Sequence, residues 1–214
     1  MLLVGLTGGL ASGKSFIGHV LEACGCRLIH ADDLGHQALA PGGPAHHDVL
    51  RAFGSDILTE EGTIDRRRLG ALVFGDPALL ARLNSLVHPH VFALQDEKIA
   101  AIAAAQPRAI VVVEAAIMIE TGSYTRYDTI VLALCARETQ IARSMRRDQL
   151  TREEVEARLA RQMPLEEKIP YAHFIVDTDH TKEETTLRAR QVYESLRALE
   201  QSKHSAHTGD SEVI

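Results

Sequence analysis

The stretch Gly8-Gly9-Leu10-Ala11-Ser12-Gly13-Lys14-Ser15 decides the fold that the sequence predicts. It fits the pattern G-x-x-x-x-G-K-[ST], a glycine-rich loop that cradles phosphate groups. An apolar run, Leu2-Leu3-Val4-Gly5-Leu6, precedes it, and residues 15–24 follow it with apolar side chains at helical spacing. Strand, glycine loop and helix in this order are the setting in which the motif binds phosphate. We therefore predict a phosphate loop over residues 8–15.

Each residue type in this loop suits that chemistry. Gly8 and Gly13 permit backbone conformations and close approaches that a Cβ would block. The backbone N–H groups of the loop and of the helix N-terminus then converge on phosphate oxygens. Lys14 can reach the β- and γ-phosphates, and the Ser15 hydroxyl can bind Mg²⁺. The alternative is a glycine turn that only caps a helix, but such a turn needs neither Lys14 nor Ser15.

The composition limits the class of protein. The chain has 214 residues, of which 45% are hydrophobic, and this suits one α/β domain with insertions. A formal charge of −6 gives no basic field for nucleic acid or for a membrane surface. We find no signal peptide and no apolar run long enough to span a bilayer. Because the three cysteines show no pairing pattern, we expect reduced thiols and a cytoplasmic location.

Acidic residues end two of the predicted strands. Asp32 and Asp33 follow Arg27-Leu28-Ile29-His30, at the end of a strand where a base for an attacking hydroxyl is needed. Aspartate is also favoured as a helix N-cap, so one Asp could do each job, and local pattern does not say which. Glu114 ends the strongest predicted strand, 109–114, as a Walker-B acid would. It could orient Mg²⁺ through water or position substrate, or it could pair with a nearby Arg or helix terminus.

Residues 34–105 read as helices and loops without a strand, interrupted at His88-Pro89. We interpret them as a helical insertion that holds a second substrate. Arg66, Arg67 and Arg68 open one of its helices and could contact phosphates, although a solvated helix start explains them equally well. The histidine spacings, His46-His47 and His88-x-His90, do not put two rings on one helix face, so they do not favour a metal site.

An arginine-rich segment follows the fourth predicted strand, 129–135. Residues 137–161 contain seven Arg and five acids, so their local balance is 7 − 5 = +2. Arg143 and Arg147 are four residues apart on one helix face and could clamp transferring phosphates. The alternative is surface ion pairing, such as Arg143 with the turn at Asp148. A fifth strand at 173–177 and an amphipathic helix at 182–201 close the fold, and we predict that 202–214 is a disordered tail.

The motifs taken together resemble the dephospho-CoA kinase family over about residues 1–200. Several are weak individually, but their order and spacing are specific. They are Leu6-Thr7-Gly8-Gly9 with the phosphate loop, Ala31-Asp32, Pro41-Gly42, Phe53-Gly54, Gly62-Thr63-Ile64-Asp65-Arg66, Leu69, Phe74, Leu83-Asn84, His88-Pro89, Glu120-Thr121-Gly122, Gln140, Arg143, Arg147, Asp148 and Gln162.

This resemblance implies a three-layer P-loop nucleoside-triphosphate hydrolase/kinase fold. Its elements are a five-stranded parallel sheet, a helical CoA-substrate insertion at about 34–105 and a lid at about 138–170, all within one domain, 1–201. The implied reaction transfers the γ-phosphate of ATP to the ribose 3′-hydroxyl of dephospho-CoA, with Mg²⁺, in the final step of coenzyme A biosynthesis. The alternatives are another small-metabolite or nucleoside-monophosphate kinase on this fold, or a non-catalytic nucleotide sensor. The implied partners are ATP and dephospho-CoA, for a monomer or small homo-oligomer.

The resemblance also implies roles for individual residues. It assigns the general base to Asp32 rather than Asp33, further catalytic roles to Lys14 and Arg143, and Mg²⁺ binding to Ser15. The implied ATP-binding residues are Gly8, Gly9, Ala11, Ser12, Gly13, Lys14, Ser15, Phe16, Arg143 and Arg147. The implied substrate-binding residues are Asp32, Arg66, His88, Pro89 and Glu114.

The sequence departs from the family pattern at several positions. His30, Phe16, His36 and Ala116 stand where the family commonly has Asp, Thr, Arg and Pro. His173 and Thr178 replace an Asp and an Asn near the last strand, and Glu114 replaces an Asp. None of these departures removes Lys14, Ser15, Asp32 or Arg143, so they bear on substrate affinity and Mg²⁺ orientation rather than on the reaction.

Overall fold

A central strand, β1 (Leu2–Gly8), pairs in parallel with a strand on each side in the computed structural model of the chain, which describes residues 1–209. The sheet has five strands in the order β2-β3-β1-β4-β5. The outer strands are β2 (Arg27–His30), β3 (Ile110–Glu114), β4 (Thr129–Leu134) and β5 (Phe174–Asp177). This parallel α/β sheet confirms the predicted fold class.

Helices connect the strands, as parallel pairing requires. They are α1 (Lys14–Ala23), α2 (Ala31–Leu39), α3 (His46–Phe53), α4 (Arg66–Phe74), α5 (Pro77–Ala105), α6 (Arg137–Asp148), α7 (Arg152–Leu159), α8 (Leu165–Lys168) and α9 (Lys182–Gly209). Short 3₁₀ turns lie at Ser55–Ile57, Ser123–Arg126 and Ile169–Tyr171. In the described part of the chain, no helix is both long and apolar enough to cross a membrane.

The chain divides into two compact units. The first comprises Met1–Ile29 and the chain from Ile102 onward, and the second comprises His30–Ala101. In the first, apolar side chains of α1 and α9, such as Ile17 and Leu196, are fully buried in one cluster with the sheet. This packing fixes the start of α1 just after the end of β1.

The second unit has a buried core of its own, formed by Ala38, Ala45, Val49, Ile57, Ile64, Leu69, Val73 and Val87. Asp65 caps α4 by accepting hydrogen bonds from the backbone N–H groups of Arg67 and Arg68. A cap of this kind contributes about 1 kcal/mol to helix stability. The predicted start of α4 is therefore correct.

One predicted break in this unit is wrong, because α5 runs through Pro89 without ending. A proline inside a helix costs about 3 kcal/mol, since it removes one hydrogen bond and crowds the preceding turn. The side chain of Val87 is buried on one side of the proline, and Val91 packs against the same core on the other. Burial of these flanking residues offsets the local cost.

The predicted end of the last helix is also wrong, because α9 extends past Gln201 to Gly209. Lys203 forms an ion pair of 2.6 Å with Asp128, and Ser202 donates a hydrogen bond to the Ala198 carbonyl. Polar residues that make such contacts show no apolar periodicity, so the sequence pattern does not predict this last part of the helix. Residues 210–214 of the predicted tail lie outside the described residues.

Candidate active site

The loop between β1 and α1 has the backbone that its glycines predict. Gly13 has a φ of 90°, in the left-handed region that favours glycine. A Cβ on Gly8 would lie 2.3 Å from Ser12 Oγ, so no larger residue fits there without a shift. Ala11 also has a positive φ, 53°, although it carries a Cβ. Such left-handed conformations cluster at ligand-binding turns, and this loop is one.

Two side chains of the loop carry donors suited to an anion. Lys14 donates from Nζ to the Gly9 carbonyl at 3.1 Å, within the loop itself. Ser12 is fully buried, and its hydroxyl has no hydrogen-bond partner among residues 1–209. A buried polar group without a partner is uncommon in native structures. A phosphate oxygen in the loop would supply the missing acceptor.

The register of the sheet brings Glu114 to the start of α1. Leu6 of β1 pairs with Glu114 of β3, so the carboxylate lies beside the strand that leads into the loop. Ser15 then donates from Oγ to Glu114 Oε1 at 2.7 Å. Glu114 is 9% exposed and therefore belongs to the floor of the site. The contact with Ser15 puts a hydroxyl and a carboxylate oxygen in one place, as a Walker-B acid requires.

These two oxygens fit a magnesium site. Magnesium binds hard oxygen ligands, and it takes one or two from the protein with the rest from water and substrate phosphates. Within residues 1–209, no group of three or more His, Cys, Asp or Glu residues is arranged to hold a metal ion. A pair such as Ser15 and Glu114 fits a metal that keeps water and phosphate ligands.

A cavity of about 490 Å³ lies beside the loop. Its lining combines the loop with the arginines of α6. The lining residues are Ala11, Ser12, Gly13, Lys14, Ser15, Phe16, Arg143, Arg146 and Arg147. The predicted ATP-binding residues in this group are thus brought together, with Arg146 added.

Arg143 is held at this cavity by the segment after β5. Its guanidinium donates to the Thr178 hydroxyl at 3.0 Å and to the Thr178 carbonyl. The same hydroxyl donates to the Ser12 carbonyl at 2.8 Å. A chain of hydrogen bonds therefore runs from Arg143 through Thr178 to the phosphate loop.

Arg147 has a different partner. It donates two hydrogen bonds, of 2.7 and 2.9 Å, to the neighbouring Asp148. These bonds hold the pKa of the Asp148 carboxyl below its usual range. The ion pair considered for Arg143 is thus made by Arg147. Both arginines nevertheless line the cavity, so the ion-pair and clamp interpretations do not exclude each other.

Asp32 and Asp33 lie in the first turn of α2, because that helix begins at Ala31. The N-cap residue is His30, so the interpretation of either Asp as the N-cap is wrong. Both Asp side chains are exposed. Among residues 1–209, neither carboxylate has a hydrogen-bond or ion-pair partner. Each therefore remains available as a proton acceptor, and the local structure does not distinguish them.

Three other predicted substrate-binding residues, Arg66, His88 and Pro89, also belong to the second unit, whereas Glu114 belongs to the first. Arg66 is exposed at the first position of α4, and within the described residues its side chain takes part in no hydrogen bond or ion pair. His88 is half-buried, and its ring lies 6.0 Å from that of Phe92. Burial lowers the pKa of His88 from its usual 6.5, so its imidazole is mostly neutral near neutral pH. Pro89 is exposed.

Sequence reasoning missed two residues that organise the phosphate loop. In the sequence, Thr178 stands out only as a departure from the family pattern, and nothing distinguishes Lys168. Gln140 and Gln162 were noted only through the resemblance, yet both bond to Leu10 of the loop. No local pattern signals their contacts with the loop, since each of these contacts joins residues more than 100 positions apart.

A family model described as dephospho-CoA kinase matches residues 2–184. A protein of Geobacter metallireducens named dephospho-CoA kinase is 43% identical over 185 residues, which cover 86% of this chain and 92% of that protein. Its namesake from Geobacter sulfurreducens is 39% identical over 193 residues, with 90% and 98% covered.

Two solved structures are also similar to this chain. TT1252 of Thermus thermophilus superposes with a TM-score of 0.80 at 31% identity, covering 91% of this chain and 96% of that one. Dephospho-CoA kinase from Campylobacter jejuni has the same fold, with a TM-score of 0.60 at 24% identity and the same coverage. With the family model matching most of its length, this chain belongs to the dephospho-CoA kinase family.

Proposed function

We propose that the cavity beside the phosphate loop binds ATP and that Lys14, Arg143 and Asp32 carry out the transfer. The chain is an ATP-dependent kinase that phosphorylates the ribose 3′-hydroxyl of dephospho-CoA, the final step of coenzyme A biosynthesis. The observation that carries the assignment of Lys14, Ser15 and Arg143 is their convergence on one cavity, and Asp32 is assigned by the family resemblance.

Binding of the triphosphate uses donors that the loop already presents. The backbone N–H groups at the start of α1 have no acidic side chain in the first turn to compete for them. Lys14 can exchange its hydrogen bond to the Gly9 carbonyl for one to a phosphate oxygen. The Ser12 hydroxyl supplies a further buried donor. The loop and the start of α1 therefore neutralise phosphate charge.

The transfer itself needs positioning more than covalent chemistry. Asp32 accepts the proton of the 3′-hydroxyl while the hydroxyl oxygen attacks the γ-phosphorus of ATP. The bond from that phosphorus to the bridging oxygen breaks, and the electron pair leaves with ADP. Lys14 and Arg143 stabilise the negative charge that develops on the transferring group and on the leaving oxygen.

Ser15 and Glu114 would hold Mg²⁺ at this site, Ser15 through its hydroxyl and Glu114 directly or through water. A bound Mg²⁺ supplies charge neutralisation of the phosphates. Phe16 follows Ser15 where the family commonly has a second hydroxyl, so Ser15 carries the contact without that neighbour.

We assign binding of the phosphate acceptor, dephospho-CoA, to the helical insertion at 34–105. Dephospho-CoA carries phosphates, and Arg66 offers an exposed guanidinium with no partner within the described residues. His88 and Pro89 complete the proposed substrate side, with His88 as a neutral hydrogen-bonding ring. The proposed lid, 138–170, carries Arg143 and Arg147.

We further propose that the chain works in the cytoplasm as a monomer or small homo-oligomer, without nucleic-acid or membrane partners. The net charge of −6 supports the absence of nucleic-acid partners, because phosphate backbones require basic surfaces.

Two thiols are buried, and burial raises the pKa of Cys26 to about 12 and that of Cys135 to about 11, which makes both poor nucleophiles. Light scattering of the purified chain would report the oligomeric state.

A coupled ADP-release assay tests the reaction. ATP and Mg²⁺ would be supplied with dephospho-CoA, adenosine, shikimate or nucleoside monophosphates as separate acceptors. We expect turnover with dephospho-CoA and its loss in Lys14→Ala. Activity confined to nucleoside monophosphates would favour a different kinase of this fold. ATP binding without transfer to any acceptor would favour a nucleotide sensor.

A further inference from the structure

Lys168 is a buried cation that the proposed reaction does not use. Its side chain, at the end of α8, is fully buried. Its Nζ donates to the Gly8 carbonyl at 3.3 Å, to the Ala116 carbonyl at 2.8 Å and to Glu120 Oε2 at 3.0 Å. An ammonium group has three protons, and all three are used here. Burial of a charge is tolerated only with such full pairing, so these three contacts depend on one another.

The three oxygens belong to the segments that build the nucleotide site. Gly8 ends β1 and opens the phosphate loop. Ala116 and Glu120 lie just after β3, the strand that ends at Glu114. Glu120 also accepts the backbone N–H of Met163, in the predicted lid, at 3.1 Å. Lys168 and Glu120 thus join the phosphate loop, the segment after β3 and the C-terminal end of the predicted lid.

The contact with Gly8 has a consequence for the loop. A trans peptide is planar, with its C=O and N–H pointing in opposite directions. Holding the Gly8 carbonyl therefore also fixes the direction of the Gly9 N–H, the next backbone donor of the loop. The peptides on either side of Leu10 are fixed in a similar way.

Leu10 is anchored by residues of the predicted lid. Its N–H donates to Gln162 Oε1 at 2.8 Å, and its carbonyl accepts from Gln140 Nε2 at 2.7 Å. Its side chain packs against the core between α6 and α7. Side chains from outside the loop therefore set three consecutive peptides of the phosphate loop, and Lys168 sets the first of them.

We propose that Lys168, paired with Glu120, is a positioning residue for ATP. It acts through the Gly8 carbonyl, which it holds so that the start of the phosphate loop has its binding conformation before the nucleotide arrives. It touches neither substrate. This inference rests on the proposed ATP site. In a purely stabilising role Lys168 would affect only folding, whereas in the proposed role the affinity for ATP depends on the ion pair.

The test measures ATP binding and protein stability separately in Lys168→Met. Loss of one charged hydrogen bond to the loop is expected to weaken ATP binding about tenfold. The KM for ATP should rise by the same factor, whereas the KM for dephospho-CoA should stay within about twofold. Hydrogen exchange at the Gly9 amide should become faster. Wild-type ATP affinity in the folded variant would overturn the proposal.

Two further variants keep the test decisive. Glu120→Gln retains the size of the side chain but removes its charge, so it should fold even where Lys168→Met does not. It should weaken ATP binding about threefold, because a neutral acceptor holds Nζ less tightly than a charged one. Unchanged ATP binding and Gly9 exchange in Glu120→Gln would also overturn the proposal.

Lys203→Met is the matched control, because it breaks another ion pair of the same unit, with Asp128 at 2.6 Å. Its ATP affinity should equal that of the wild type, and an equal loss in this variant would make the Lys168 effect nonspecific and overturn the proposal. Binding of ATP to the wild type is measured first. Its absence would contradict the proposed ATP site itself, a different outcome from tight binding by both wild type and Lys168→Met.

Discussion

Ser15 donates a hydrogen bond of 2.7 Å to Glu114, and this bond joins the first turn of α1 to the end of β3. The two residues are 99 positions apart in the chain. The register of β1 against β3 brings them together, because Leu6 pairs with Glu114 two residues before the loop begins. A hydroxyl and a carboxylate placed in this way would form the protein half of the proposed magnesium site.

The first prediction concerns this pair. Ser15→Ala removes the hydroxyl ligand and should raise the Mg²⁺ concentration needed for half-maximal activity by about tenfold. Ser15→Thr keeps a hydroxyl and should retain most of the wild-type Mg²⁺ response. Titration of activity with Mg²⁺ at saturating ATP measures both. Equal Mg²⁺ responses in Ser15→Ala and the wild type would exclude Ser15 as a ligand.

The second prediction separates the two acids of α2. Asp32→Asn should lower kcat by about 10²- to 10⁴-fold, the usual contribution of a general base. ATP affinity should not change, because the substitution leaves the first unit intact. Asp33→Asn is the matched control, since it lies in the same turn and is also exposed. If Asp33→Asn loses activity and Asp32→Asn does not, the base is Asp33.

The third prediction concerns the hydrogen bonds that hold Arg143. Arg143→Ala should lower kcat by about 10²- to 10³-fold, because it removes a charge that stabilises the transferring phosphate. Thr178→Val keeps the shape of Thr178 but removes the hydroxyl that links Arg143 to Ser12, so it should give a smaller loss.

A double-mutant cycle of these two changes tests the link. The effect of Thr178→Val on kcat should largely disappear when Arg143 is already Ala, because residues in one hydrogen-bond network are not additive. Full additivity of the two effects would mean that Thr178 does not act through Arg143.

The fourth prediction is a pH dependence of stability. Burial lowers the pKa of His88 in the folded protein below its unfolded value of 6.5. The unfolded chain therefore binds the proton more readily, and the free energy of unfolding should fall as the pH drops below about 6.5, levelling off below the folded pKa. Above that range this contribution to stability is fully present.

Urea unfolding at a series of pH values between about 8 and 5 measures this slope. His88→Gln should make the pH dependence shallower. His47→Gln is the control, because the His47 side chain is 82% exposed, and its slope should match the wild type. An unchanged slope in His88→Gln would show that His88 does not contribute to the pH dependence of the free energy of unfolding.

Local patterns predicted most of the secondary structure of the first unit. The three central strands, β1, β3 and β4, appear as apolar runs because both faces of a parallel sheet are covered there. The same reasoning failed at Pro89 and at residues 202–209. In the first case burial of the flanking apolar residues outweighs a local helix breaker, and in the second an ion pair between distant residues stabilises turns that lack an apolar face.

The candidate site was predictable in part. The phosphate loop and the two α6 arginines could be identified because each forms a short motif within one segment. The residues that hold them, Thr178 and Lys168, could not, because a single polar side chain carries no pattern. Their roles depend on which segments the sheet places next to one another.

The sequence by itself determined the phosphate loop, the order of strands and helices along the chain and the family resemblance. These features rest on residue types at fixed spacings. The tertiary structure alone decided that Ser15 meets Glu114, that Thr178 links Arg143 to the loop and that Lys168 supports Gly8. The physical reason is the sheet register and the packing of helices upon it. They bring together donors and acceptors that are 35 to 166 residues apart, and each buried polar group must then find its partner among them.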